Sequence, residues 1–171
     1  MNNWKTWIAS IGLCFSMSSA YALPEMIKNY QQLVEALENG NDVKAIIHLD
    51  LCDLDEDSLD ETLLGQVNQA IDGASTRFNF NQYVKLRLNN VDTITTSQSS
   101  LVEQSPGVFW NLFGRLSIYG EPNRIPQVHI ELYDPKNNAS KWVLNFECGI
   151  SNGRDGNNTE SDDDGLVLYY D

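Results

Sequence analysis

The chain has 171 residues, 24 acidic against 11 basic, for a formal net charge of −13. That balance excludes a nucleic-acid binder and a protein held on anionic lipid, because both surfaces are met with Lys and Arg. Basic partners, cationic ligands and divalent metals stay open, as does plain solubility.

The first 22 residues carry one charge, Lys5. An apolar run from Trp7 to Phe15 follows, then small residues and Ala20-Tyr21-Ala22, an A-x-A cleavage pattern. The run is too short to span a bilayer as a helix, which takes about 20 apolar residues. The expectation is a cleaved export signal over residues 1–22, with Leu23 as the new N-terminus. A single domain over residues 23–171 would remain, with no stable membrane anchor, in the periplasm or secreted. The rival is a lipoprotein joined through Cys14, but Leu13 is bulky for the position before such a cysteine. Loss of the signal leaves two cysteines, Cys52 and Cys148. An even count in an exported chain favours one disulfide.

In chain order, the first predicted element is a helix over Leu23–Gly40. Pro24 suits a first turn. Ile27, Tyr30, Leu33, Val34 and Leu37 form one apolar stripe, and Gly40 sits where a left-handed cap belongs. Lys44–Cys52 reads as a strand with apolar residues on both faces, as in a central or doubly covered strand. An acidic turn, Asp53–Asp57, leads to Ser58-Leu59-Asp60-Glu61, which fits a capping box. A second helix should follow through Leu63, Val67, Ala70 and Ile71, weakened by Gly65 and stopped by Gly73.

The remainder reads as strands: Phe78 and Phe80, Tyr83–Leu88, Val91–Thr96, Val108–Tyr119, Val128–Leu132 and Trp142–Cys148. Ser105-Pro106-Gly107, Glu121-Pro122-Asn123 and Asp134-Pro135 mark the turns. Residues 152–165 are rich in Asn, Asp, Ser and Gly and read as a flexible loop. Leu166–Tyr170 returns to strand character, which pins the C-terminus to the sheet. The predicted fold class is α+β, an N-terminal amphipathic helix on a mainly antiparallel sheet with a short second helix.

Candidate sites are few. Asp53, Asp55 and Asp57 open like a calcium loop, but an EF-hand needs Gly at its sixth position and Glu at its twelfth. This chain has Ser58 and Leu64 there. A looser calcium contact stays open, and so does one at Asp162, Asp163 and Asp164, whose adjacent carboxylates repel one another. Cys52, Cys148, His48 and His129 are zinc-type ligands. On one strand, though, His48 and Cys52 would lie about 13 Å apart. No G-x-S-x-G elbow is present. Carboxylate pairs for glycoside chemistry are available in any chain this acidic, so their presence decides nothing.

Two stretches carry a resemblance. "YQQLVEALENGNDVKAIIHLDLC", Tyr30–Cys52, and "WVLNFECGISNG", Trp142–Gly153, resemble the VirK family of small exported bacterial proteins. Leu33, Ala36, Leu37, Gly40, Val43, Leu51 and Cys52 fill the family's frame of a helix, a glycine, a hydrophobic strand, a leucine and a cysteine. The second stretch carries the other cysteine near a strand end. The acidic insert after Cys52 and the Asn/Asp-rich loop depart from the pattern. The resemblance implies an exported, virulence-associated protein and brings no catalytic residue, substrate or cofactor. The resulting expectation is a non-enzymatic protein without cofactor that binds a protein or a small ligand. The alternatives are a carboxylate-dependent hydrolase or isomerase of envelope carbohydrate, and a calcium-dependent structural module.

Overall fold

The computed structural model describes residues 23–56, 59, 61–137, 139–152 and 164–171. The expected signal with Ala20 and Ala22, the calcium candidates Asp57, Asp162 and Asp163, and the Ser58 cap lie outside the described residues.

Two antiparallel sheets face each other where the sequence pointed to one. The smaller has the order β1 (Glu25–Ile27), β10 (Leu166–Tyr170), β2 (Val43–His48), β4 (Ser75–Asn79). The larger has the order β3 (Asp53–Leu54), β9 (Ala139–Glu147), β8 (Gln127–Asp134), β7 (Val108–Tyr119), β6 (Val91–Ser105), β5 (Tyr83–Leu88). Helix α1 (Tyr30–Glu38) joins β1 to β2, and α2 (Glu61–Ile71) joins β3 to β4. The mainly antiparallel α+β plan therefore holds.

The first helix begins seven residues later than its apolar spacing predicts. Glu25–Ile27 pairs instead with Leu168–Tyr170 as a strand. Ile27 is buried in either arrangement, so its spacing could not distinguish them. Asn29 settles the helix start: its side chain accepts from the Gln32 N–H at 3.0 Å, and Gln32 Oε1 accepts from the Lys28 N–H at 2.8 Å. Leu33, Val34, Ala36 and Leu37 then turn inward. Gly40, at φ 78°, ends the helix, and the N–H groups of Gly40 and Asn41 bond the carbonyls of Leu37 and Ala36.

Strand β2 is central, and Val43, Ala45 and Ile47 are its core face. It stops at His48, four residues short of the predicted end. Leu49–Leu51 form a 3-10 turn, because the Leu49 N–H finds the Ala74 carbonyl at 2.9 Å. His48 and Cys52 therefore do not share an extended strand face. The turn folds the chain back until Cys52 Sγ lies 3.2 Å from the His48 carbonyl oxygen.

Between the sheets, Ile27, Ile47, Leu166 and Leu168 meet Ile94, Leu116, Ile118, Val128 and Phe146. Each such side chain contributes roughly 1.5–3 kcal/mol of burial before chain entropy is set against it. Phe78 spans the gap: a Cβ on Gly114 of β7 would lie 2.8 Å from its ring. Strand β6 runs nine residues past the predicted Thr96. Ser97–Ser100 have little strand preference of their own and are held by pairing with Leu112–Arg115. On β5, Val84 is 57% exposed and Leu86 is half-buried.

Candidate functional site

Alternation along a strand sends every second side chain away from the core. On the outer face of the large sheet, register lines these side chains up in two rows. One row is Asp53, Glu147, Gln127 and Ser117. The next is Asn145, His129 and Arg115, with the Asp55 N–H bonded to the Asn145 carbonyl at 2.9 Å. Together with Tyr119 they line a cleft of about 420 Å³.

Hydrogen bonds preset much of this surface. Tyr119 OH donates to Gln127 Oε1 at 2.7 Å, and Gln127 Nε2 donates to Glu147 Oε1 at 3.4 Å. His129 Nδ1 and Asn145 Oδ1 are 2.9 Å apart. The edge of Phe113 meets the His129 ring at 6.4 Å between centroids. The Arg124 guanidinium lies 3.9 Å over the Tyr119 ring, a cation–π contact that holds the phenol in place. The cleft thus has an acidic end, Asp53 with Glu147, and a basic middle, Arg115. Asp53 and Glu147 are directly opposed across β3 and β9, which is unfavourable for two like charges.

Hydrolytic machinery is poorly matched. Ser117 Oγ pairs with Thr95 Oγ1 at 3.2 Å, and His129 pairs with Asn145, so each is engaged elsewhere. Asp53, Asp55 and Glu147 are exposed, whereas a general-acid carboxyl needs shelter from water.

Cys52 and Cys148 form a disulfide, with an S–S distance of 2.14 Å and Cα atoms 4.6 Å apart. Their neighbours Asp53 and Glu147 are the first rung between β3 and β9, so the bridge fastens the acidic end of the cleft. Cys148 is fully buried, and its N–H bonds the Pro126 carbonyl. Gly165, which follows the acidic run Asp162–Asp164, packs on the bridge: a Cβ there would lie 2.6 Å from Cys52 Sγ and 2.7 Å from the His48 oxygen. Its carbonyl accepts from the His48 N–H at 2.9 Å.

The structure brings Asp53 and Asp55 to the cleft and puts Asp164 two residues before β10, on another part of the chain. Leu23, the expected new N-terminus, is exposed ahead of β1. Among the described residues no three His, Cys, Asp or Glu side chains converge as a metal would require. Arg115, Tyr119, Gln127 and Asn145 did not stand out in the sequence. Their polar alternation was visible, but only strand register joins them.

A second hollow of about 730 Å³ opens on the other side of Tyr119, between Lys28–Gln31 and the Glu121–Pro126 loop. Tyr30, on its wall, has a buried hydroxyl without a hydrogen-bond partner. Burial first, and the Asp92 charge second, raise the pKa of that phenol.

No family model and no curated protein matches the chain. A solved structure does: lpg1832, a VirK family protein from Legionella pneumophila, with a TM-score of 0.57 over 84% of this chain and 97% of that one. The fold is VirK-like. At 12% identity the likeness concerns the fold alone.

Proposed function

We propose that this VirK-like protein is an exported binding protein whose polar ligand or partner segment lies across the cleft of the large sheet. One observation carries the reading: acidic, basic and amide side chains from β3, β9, β8 and β7 converge on one face, in a register that the Cys52–Cys148 bridge helps to hold. A surface of paired donors and acceptors suits recognition of a polar, mixed-charge ligand. The disulfide supports export, because such bonds persist in oxidising compartments. The signal-like first 22 residues support it independently. A virulence-associated role goes with delivery outside the cytoplasm.

The test has two parts. N-terminal sequencing of protein recovered from the periplasm or medium should begin at Leu23, and full-length protein retained in membranes would overturn export. Pull-downs from bacterial and host lysates should then recover a partner on the parent protein that Arg115→Glu and Glu147→Lys both lose. Identical recoveries on all three would remove the cleft from the function.

A second reading, a carboxylate-dependent hydrolase of envelope carbohydrate, rests on the opposition of Asp53 and Glu147 in the cleft and stands against their exposure to water. Turnover of envelope glycan fragments that disappears in Asp53→Asn and Glu147→Gln would establish it.

A further inference from the structure

Sheet edges expose unpaired N–H and C=O groups, and most chains shorten or charge them to prevent unwanted pairing. Four edges of this protein follow that rule. Strand β1 has three residues and includes Glu25, and β3 has two, including Asp53. Strand β4 carries Arg77, and β5 carries Lys85 and Arg87.

The edge of β6 does not follow it. Strand β5 covers β6 only over Val91–Thr96. From Ser97 onward, among the described residues, β6 has a strand partner on the β7 side alone. Ser97–Ser105 reads SQSSLVEQS, with no Lys, Arg or Pro. Its one charge, Glu103, is turned to the hairpin, where its Oε1 accepts from the Gly107 N–H at 2.9 Å. From Val102 the ribbon also leaves the body of the sheet, since β8 covers β7 only over Asn111–Ser117, the partners of Thr95–Leu101. Apolar side chains are exposed on both of its faces: Leu101 at 63% and Phe109 at 42% on one, Val102 at 38% on the other.

We propose that this edge pairs with the same edge of a second copy of the chain, forming a two-fold antiparallel β6–β6 junction. Self-complementarity selects the occupant: Ser97–Val102 carries no charge, so this edge can lie against its own copy although the chains, at −13 each, repel over most of their surfaces. Self-pairing also satisfies the free backbone groups on both sides at once, as an isologous interface requires.

Geometry selects the register. Directly opposed residues in an antiparallel pair share a face, so a two-fold axis normal to the sheet must pass beside a residue and its own copy. Centred on Leu101, the junction buries the most exposed apolar side chain of the ribbon against its copy. Ser100 then meets the partner's Val102, and Ser99 meets the partner's Glu103, so no charge opposes a charge. The register shift after Glu103 ends the regular edge and keeps the junction short. A short junction gives a reversible dimer, dissociating at roughly 1–100 μM.

Sedimentation of the purified protein from about 1 μM to 1 mM brackets that range. The parent protein should pass from monomer to dimer across it. Leu101→Lys, which opposes two ammonium groups at the axis, should remain monomeric with an unchanged melting temperature. Ser99→Glu should weaken the dimer several-fold, because it opposes a carboxylate to the partner's Glu103, and Ser99→Lys should strengthen it. Monomer at every concentration would overturn the proposal, and so would equal effects of the two Ser99 substitutions. A parent protein that stays monomeric but binds zwitterionic phosphatidylcholine vesicles through Leu101 and Phe109 would assign the ribbon to lipid instead, and likewise overturn it.

Discussion

Gly165→Ala is the smallest change with a large expected effect. The added methyl carbon would lie 2.6 Å from Cys52 Sγ, 2.7 Å from the His48 carbonyl oxygen and 3.1 Å from the Leu51 carbonyl carbon. One obstacle is a bridged sulfur and two are backbone atoms of a 3-10 turn, so no side-chain rotation clears the site. Overpacking of this kind costs about 1–3 kcal/mol. Moving the chain aside also weakens the His48 N–H to Gly165 carbonyl bond, worth about 1 kcal/mol. A loss of about 2–4 kcal/mol corresponds to a melting temperature lower by roughly 5–15 °C in a domain of this size. Circular-dichroism melts in calcium and in chelator give the readout, with Gly65→Ala as the comparison. Gly65 has no atom within 4 Å of an added Cβ and lies inside α2, so Ala there should stabilise by about 0.5–1 kcal/mol. A Gly165→Ala protein melting within about 2 °C of the parent would refute the packing account. A loss confined to the calcium-loaded protein would refute it too, and would return the Asp162–Gly165 stretch to the role of a cation loop.

Cys148→Ser opens a bridge of sequence separation 96 and should cost up to about 4–5 kcal/mol, leaving one labelable thiol, Cys52, in the unfolded protein that begins at Leu23 and so lacks Cys14; two thiols labelling in the unreduced, unfolded parent of the same length would refute the bridge. Arg87 holds the Asp92 carboxyl below its ordinary value of 3.8 through bonds of 2.7 and 2.9 Å, so the pair's contribution is complete above that value and fades as pH falls through the lowered one. Arg87→Ala should return Asp92 to the ordinary range in an NMR titration, and identical titrations in both proteins would contradict the pairing. Tyr30→Phe removes a buried hydroxyl that has no partner and should leave stability unchanged or raise it by up to about 1 kcal/mol, whereas a clear loss in a chemical-denaturation series would reveal a bond the geometry does not contain.

Much of the fold was legible because periodicity and turn chemistry are local. The Leu33–Leu37 stripe and Gly40 marked the body and end of α1. A run rich in apolar residues marked β7, alternation marked β8 and β9, and Leu166–Tyr170 marked the strand that ties down the C-terminal end. The failures have non-local causes. Ile27 is buried through pairing with Leu168, a residue far along the chain. Ser97–Ser105 is a strand only because β7 lies beside it. Gly165 looked like the end of an acidic loop, and its lack of a side chain is explained by what crosses it, the turn at His48–Cys52.

The cleft was legible in a graded way, and the gradient follows distance from the disulfide. Two cysteines at strand ends, once joined, force their strands side by side and bring the residues next to them, Asp53 and Glu147, into opposition. Cysteine counting therefore held the means to place the acidic end of the site, although Asp53 read in isolation belonged to a calcium-like triplet and Glu147 did not stand out. His129 is one strand further across the sheet and Arg115 one further still. Placing them needs the β9–β8 and β8–β7 registers, and a one-residue slip in either would send those side chains to the opposite face. Burial sets those registers: Val128 must meet Leu116 and Phe146 on the inner face, which obliges His129 to stand between Arg115 and Asn145 on the outer one. The polar site is thus specified by the apolar residues behind it, and a core substitution that shifts β8 would dismantle the cleft without touching any residue that lines it.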